Sequence, residues 1–379
     1  MEDCRICGGD FFPKPLLTYD GAPRAAQGFL NVEQLVNDAA VNLKIWQCTQ
    51  CGTVQHNLSP VDYYREVIRS IAFSPEMRTY RLQQLGSWLQ LYALNDANIL
   101  EIGSGRGEYL ELLKECGAKS VEGIEYSKVS CELATHKGLK VYKGYLDHTG
   151  TSIPPGTKYQ GFVTFSFMEH WPNPNASLKA LSNLMSDGAI GLVEVPNFDM
   201  ILQKGLYSEF TIDHIFYFDK KSLTFMLEKN GYEVLSIDVV WYNYILSAVV
   251  RKRPPLQIKH FEAVQNRVAS QLRAYIERFN PKSVVVWGAG HQALAVITIA
   301  KISENIRYIV DSAPFKQEKY TPASHILIKS PDYLLEDTPE AVIVMAAGFS
   351  AEVISTLRQR YGHIQELAIL GEDELEILD

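Results

Sequence analysis

Hydrophobic positions along the chain fall into short β-branched runs separated by stretches with helical spacing, and the order of the two patterns divides the sequence into regions. The first 57 residues carry no sustained period and are rich in loop-forming residues. From Ser59 to Asn95, stretches such as MRTYRLQQLGSWLQLYAL have helical spacing and predict helices leading into a new domain. Strand-like and helical segments then alternate through NILEIG, YLELLKECG, SVEGIEY, CELATHKG, KVYKG, GFVTFSF and AIGLVEVP. That rhythm predicts a parallel sheet with crossover helices. The segment RKRPP at Arg251–Pro255 marks a boundary, because paired prolines stop both helix and ladder. A charged helix from Leu256 to Asn280 follows. A second alternation, SVVVWGAG, RYIVDS and AVIVMAA, predicts a further small open α/β domain, and no internal repeat or low-complexity tract interrupts the chain.

The length of 379 residues exceeds what one hydrophobic core usually serves, and 46% hydrophobic content supplies material for more than one. A net charge of -8 argues against general attraction to nucleic acid or to an anionic membrane surface. A neutral or nucleotide-linked small substrate fits better. The N-terminal MEDCRICGGD lacks the basic and apolar segments of a signal sequence, and nowhere do 18 uncharged apolar residues follow one another. The expectation is a cytoplasmic protein, in whose reducing compartment six cysteines would not form a disulfide framework.

Four of those cysteines suggest another use. Cys4/Cys7 and Cys48/Cys51 form two CxxC pairs, each followed by glycine, a spacing that lets four thiolates converge on one tetrahedral zinc ion. Four sulfur ligands leave no open coordination position, so the expected role is structural. Cys116 and Cys131 lie in predicted helices and read as packing residues.

Leu100-Glu101-Ile102-Gly103-Ser104-Gly105-Arg106-Gly107 places a carboxylate at the end of a strand and three glycines in the turn before a helix, so that backbone can approach a ligand closely. Glycines alone do not separate cofactors, since dinucleotide-binding folds use them here too. Glu101 would repel a pyrophosphate but attract the ammonium of S-adenosylmethionine, and Glu125 ends the next strand where a carboxylate can accept hydrogen bonds from a ribose diol. Tyr63 and Tyr64, ahead of this sheet, are expected to close over the cofactor. A second strand, glycine turn and helix, Trp287–Ala295, has only Gly288 and Gly290, with Asp311 ending the next strand; nucleotide binding and a purely architectural turn both remain open there.

Glu169-His170-Trp171 follows the strand GFVTFSF, at the edge where open sheets place their sites, and Asp213-His214 lies in the aromatic segment EFTIDHIFYFD. Carbon methylation beside a carbonyl needs a base to remove a weakly acidic proton and a second group to stabilise the enolate oxygen; histidine suits the first task. The aromatics Phe210, Phe216, Tyr217 and Phe218 read as core.

Taken in order, CRICG, CTQCG, EIGSGRG, FMEHWPNP, EVPNFDMI, DHIFYF, VVVWGAG and KYTPASHI resemble the sugar C-methyltransferase family that modifies nucleotide-linked deoxy-keto-hexoses, over essentially the whole chain. The resemblance implies a zinc-ribbon-like module at 1–58, a class I methyltransferase domain with a Rossmann-like sheet at 59–250, and a linker helix with a small Rossmann-like domain at 251–379 that helps hold the nucleotide-sugar. It implies His214 as base, with Asp213 orienting His214 or the sugar and His170 binding the developing oxyanion. The family's Tyr-His-Glu-His stretch stands here as Thr211-Ile212-Asp213-His214, and its Gly-Ser-Asn-Asp-Gly loop as Gly103-Ser104-Gly105-Arg106-Gly107. An O- or N-methyltransferase, or a non-catalytic zinc-ribbon protein that senses nucleotides, is the alternative reading. No nucleic-acid or membrane partner is expected.

Overall fold

The computed structural model describes residues 3–27, 29–65, 74–147, 150–364 and 366–378. The chain folds into two compact units, Met1–Pro255 and Leu256–Asp379. The first opens with the antiparallel strands β1 (Leu17–Ala22), β2 (Val41–Gln47) and β3 (Val54–His56). Leu43, Ile45 and Val54 face a small core there. Helix α1 (Pro75–Leu91) follows: the Ser74 hydroxyl caps the Met77 amide at 3.1 Å, Pro75 suits the first helical position, and Arg81, Leu85, Trp88 and Leu89 form the buried stripe. Only this part of the helical expectation for Ser59–Asn95 is met among the described residues. Residues 59–65 run as irregular backbone and turns, with Pro60 unable to donate to a helical ladder.

The alternation predicted next is present. Its elements are β4 (Asn98–Ile102), α2 (Glu108–Glu115), β5 (Ser120–Glu125), α3 (Lys128–His136), β6 (Lys140–Lys143), β7 (Tyr159–Phe165), α4 (Pro174–Leu184) and β8 (Met185–Pro196). After α5 (Phe198–Lys204), a two-residue strand β9 (Phe216–Tyr217) leads into α6 (Lys220–Lys229), β10 (Tyr232–Val240) and β11 (Ile245–Lys252). The sheet order is β10-β11-β8-β7-β4-β5-β6, parallel from β8 to β6, with β10 and β11 antiparallel at one edge. Ile99, Leu100 and Ile102 of central β4 are at most 1% exposed, as expected of a parallel strand covered on both faces. This is the strand arrangement of a class I methyltransferase sheet. β9 does not join it; it extends the N-terminal sheet, pairing with β3.

The second unit contains α7 (Lys259–Ile276), β12 (Val284–Trp287), α8 (His291–Ile299), β13 (Ile306–Val310), β14 (Lys319–Tyr320), β15 (Leu327–Lys329), α9 (Tyr333–Glu336), β16 (Ala341–Val344), α10 (Ser350–Arg360), β17 (Glu366–Leu370) and β18 (Leu375–Leu378). Its sheet order is β14-β15-β13-β12-β16-β17-β18, with the five inner strands parallel. No described helix is long and apolar enough to cross a membrane.

Candidate active site and metal centre

The carboxyl ends of β4, β5, β7 and β8 lie along one edge of the first sheet, and the predicted residues gather there. β4 stops at Ile102 because Gly103, Gly105 and Gly107 have φ of 70°, 56° and 84°, values that leave strand geometry. Gly107, immediately before α2, disfavours a side chain: a Cβ there would lie 2.2 Å from the Leu139 side chain, which would have to move. The amides of Gly103 and Ser104 both donate to the Ile124 carbonyl at 3.0 Å, tying the turn to β5. The Glu125 carboxylate accepts the Gly105 amide at 2.8 Å through one oxygen and the Ser127 amide at 2.8 Å through the other. Expected as a ribose contact, Glu125 is thus first a brace for the glycine turn.

This edge fits S-adenosylmethionine in its donor set. Fully buried Glu101 is the penultimate residue of β4, Glu108 and Glu111 occupy the first turn of α2, and Glu125 closes β5. Carboxylates so placed oppose a diphosphate and favour a ligand carrying ammonium and sulfonium charges. Tyr64 belongs to an aromatic wall beside the β5 terminus, packed edge-on against Tyr145 at 5.6 Å. The Arg65 guanidinium lies 4.9, 5.3 and 5.7 Å from the ring centres of Tyr64, Tyr126 and Tyr145 and pairs with Asp147 at 2.7 Å. Only Tyr64 of this wall was expected; Tyr126, directly after Glu125, is the signal in the sequence that points to the rest.

Tyr63, expected over the cofactor, is placed elsewhere. Its hydroxyl donates to the Asp213 carboxylate at 2.8 and 3.0 Å and accepts the Ala26 and Gln27 amides at 2.9 and 3.0 Å. The Ala26 amide also reaches Asp213 at 3.1 Å. Asp213 therefore does not orient His214 through its carboxylate. Its carbonyl instead holds His170, whose Nδ1 lies 2.7 Å away. A carbonyl only accepts, so His170 Nδ1 carries the hydrogen and the neutral ring presents a bare Nε2. That tautomer corrects the role expected of His170, since a neutral His170 has no hydrogen left for an oxyanion.

The rings of His170 and His214 meet edge-to-face, 4.9 Å between centres. Burial holds both neutral, lowering His170 to about 4 and His214 to about 3, with His170 adding to the effect on His214. Glu169, unassigned at the sequence level beyond its place beside His170, joins them: one of its carboxyl oxygens and one ring nitrogen of each histidine lie within 4.8 Å of one another. Burial raises Glu169 to about 8. With both partners neutral, the 4.0 Å separation of His170 Nε2 and Glu169 Oε1 is not an ion pair. The backbone fixes this constellation: the Ile215 amide donates to the Glu169 carbonyl at 2.9 Å, and the His56 amide to the Ile215 carbonyl at 3.1 Å. His56 accepts the Leu58 amide at Nδ1 and donates from Nε2 to the Ile212 carbonyl at 2.9 Å, clamping the loop before β9.

The four N-terminal cysteines converge as their spacing required. Cys4 and Cys51 sulfurs are 3.6 Å apart and those of Cys7 and Cys48 are 3.4 Å apart, close to the roughly 3.8 Å edge of a tetrahedron built on zinc–sulfur bonds of about 2.3 Å. Each pair sits in a knuckle whose following glycine has positive φ, 77° at Gly8 and 72° at Gly52. Amides of Gly9 and Gln50 point at the Cys7 and Cys48 sulfurs, as thiolates require. Four thiolates this close repel one another unless a cation joins them, and the donor set fits structural zinc.

The chain is similar to known methyltransferases. A methyltransferase domain family model matches residues 76–237, and a C-methyltransferase C-terminal domain model matches residues 255–365. The C-methyltransferase NovU of Streptomyces niveus is 22% identical over 397 aligned positions, covering 95% of this chain and 93% of that protein. Among solved structures, magnesium protoporphyrin IX methyltransferase from Synechocystis with bound SAH has 14% identity and a TM-score of 0.38, covering 50% of this chain and 93% of that one. An S-adenosylmethionine-dependent methyltransferase from Mesorhizobium loti has 12% identity and a TM-score of 0.35, covering 45% and 99%.

Proposed function

This chain belongs to the C-methyltransferase family and takes S-adenosylmethionine as cofactor, and from that premise we propose that its acceptor is a nucleotide-linked deoxy-keto-sugar, methylated at the carbon beside the ketone. The observation that carries this reading is the pair of neutral histidines beyond the carboxyl end of β7, His170 buried and His214 half-buried, with ring centres 4.9 Å apart. Neutral imidazoles are bases, and carbon acids beside ketones need one. His214 takes the proton, His170 packs against it with its tautomer fixed by the Asp213 carbonyl, and Tyr63 locks Asp213. Glu101, Gly103, Gly105 and Gly107 hold the cofactor, Glu125 braces their turn and reaches the ribose, and Tyr64 lines the same pocket. When bound, the cofactor supplies an electrophilic methyl on sulfur. Alignment of that methyl with the acceptor carbon supplies much of the rate.

The division into a zinc-binding module at 1–58, a methyltransferase domain at 59–250 and a C-terminal Rossmann-like domain at 251–379 that grips the nucleotide is part of this proposal, as is a cytoplasmic setting. Mass spectrometry of purified protein with S-adenosylmethionine and a panel of nucleotide-linked keto-deoxyhexoses tests it. A gain of one methylene mass located on carbon is expected. A gain on oxygen or nitrogen removes the enolate mechanism, and no gain with any panel member removes the sugar.

A further inference from the structure

A base whose proton affinity burial has lowered this far extracts a carbon-bound proton only if the enolate oxygen is well stabilised. The groups around the histidine pair differ sharply in what they have left to give. Neutral His170 has its one hydrogen on the Asp213 carbonyl. The Tyr63 hydroxyl donates to Asp213, that of Tyr217 to the Thr211 carbonyl, and that of Tyr244 to Glu209. The Asn197 side-chain amide donates to the Asn243 carbonyl. Glu169 is different: it is 1% exposed, its Oε2 has no hydrogen-bond partner among the described residues, and its Oε1 stands 4.0 Å from the bare His170 Nε2. With only its own backbone amide as a partner, a carboxylate in such a place is strongly disfavoured, whereas an acid protonated at Oε2 keeps an uncommitted O–H.

We propose that Glu169, as the neutral acid, donates the hydrogen bond that stabilises the acceptor's enolate oxygen. The assignment rests on the C-methylation reading above. The electron pair of the carbon–hydrogen bond becomes the enolate double bond, the carbonyl π pair moves onto oxygen, and the proton goes to His214. Glu169 keeps its own proton and strengthens its hydrogen bond as the oxygen gains charge. The enolate pair then returns through carbon, forming the carbon–carbon bond to the methyl as the sulfur–carbon bond breaks with its pair left on sulfur. The His214 proton departs to water. A carboxylic acid kept neutral by an apolar site is a known oxyanion donor.

Ionisation of Glu169 replaces the donor with a negative charge facing the enolate, so turnover falls as pH rises through the acid's raised value of about 8. The other groups facing it do not titrate there: burial keeps His170 and His214 neutral above about 4, Tyr63 is pushed up to about 12, and Tyr244 is raised further still.

The test combines infrared spectroscopy with kinetics on the same keto-deoxyhexose panel. Wild type is expected to show a protonated-carboxyl band at pH 6 that titrates away near pH 8 and is absent in Glu169→Gln. Glu169→Gln, whose amide also donates, should keep turnover within about tenfold and lose the alkaline limb, whereas Glu169→Leu should fall by about 10²- to 10³-fold. Both should bind S-adenosylmethionine within about twofold of wild type. A Gln variant as inactive as Leu, or a fully active Leu variant, overturns the donor role. So does a carboxyl already ionised at pH 6, a readout that stands even where a variant fails to fold. Methyl transfer to no panel member by wild type strikes the acceptor reading instead, leaving the infrared titration to decide the state of Glu169.

Discussion

The two units share a sheet and differ in chemistry. Five strands of the first, β6-β5-β4-β7-β8, match five of the second, β15-β13-β12-β16-β17, in parallel sense and in order of connection. Each leading strand ends in a glycine turn, and each second strand is closed by a carboxylate that braces that turn. Glu125 takes the Gly105 and Ser127 amides; Asp311 takes the Ala289 and Ala313 amides at 2.8 and 2.9 Å. Even the 3₁₀ turn after the fourth strand recurs, at Met168–His170 and Ala347–Phe349. The side chains, however, do not correspond. Where the first unit has Glu101, the second has Val286; where the first has Glu169 and His170, the second has Gly348 and Phe349. Asp311 is further occupied by Lys316 at 2.8 Å. A carboxylate after the second strand is therefore part of the turn in both units and does not by itself mark a cofactor. Function resides in the residues grafted onto the shared frame.

Removing metal should break the comparison most completely, because only the first unit has the cysteine staple. Chelation of zinc, or Cys48→Ser, is expected to unravel β1–β3. It would thereby free the loop carrying His214, since β3 pairs with β9 and His56 clamps Ile212. The loss expected is about 5 kcal/mol or more for the first unit, with turnover abolished and the thermal transition of the second unit unmoved. Calorimetry with zinc content measured in parallel reads this; undiminished turnover in zinc-free protein would remove the structural role. His214→Ala comes next, with turnover expected to fall about 10²- to 10⁴-fold. Titration calorimetry should find the affinity for S-adenosylmethionine within about twofold of wild type. Full activity in this variant would end the assignment of His214 as base.

Acidification should also separate the units. His56, His170 and His214 are lowered to about 4, 4 and 3, while the second unit's His260, His291, His325 and His363 are exposed. For these three of the first unit, the unfolded chain binds protons at about 6.5 and the folded one does not. Their contribution is intact above pH 6.5 and is lost as pH falls from there toward 4. Glu169, raised, works in the opposite sense, weakening the fold as pH rises between 4.5 and 8. Three groups against one leave a net acid destabilisation of the first unit. Melting curves from pH 7 to pH 4.5 in which the second unit falls first would contradict it.

Much of the frame was legible because it is written locally. The strands of β4, β5, β7, β8, β12, β13 and β16 are β-branched runs, and the CxxC pairs and glycine turn carry their geometry in their spacing. What could not be read was tertiary. β9 is two residues long and exists because β3, some 160 positions earlier, offers it a ladder. Tyr63 reads as a cofactor lid from its place before the sheet, yet finds Asp213, 150 residues away. His170 reads as an oxyanion donor until the Asp213 carbonyl fixes its tautomer. Glu169 reads as a neighbour of a histidine, and only burial with Oε2 left unpartnered gives it a chemical identity.

The finest division between the units lies in single glycines. Gly107 and Gly288 both have positive φ and no room, a Cβ on Gly288 meeting the Met345 carbonyl at 2.5 Å. Replacing either by alanine should cost about 1–3 kcal/mol. The costs fall in different places: Gly107→Ala should weaken S-adenosylmethionine binding at least tenfold, and Gly288→Ala should leave that affinity untouched while lowering the melting temperature of the second unit. Gly290, the position that a nucleotide-binding turn would need bare, has φ of -83° and nothing within 4 Å of a Cβ. Gly290→Ala is therefore expected to change stability by less than about 0.5 kcal/mol. If turnover is also unchanged, the second glycine turn is architecture; a rise in KM for the nucleotide-linked sugar, with stability and cofactor affinity constant, would show backbone at Gly290 lying against the substrate.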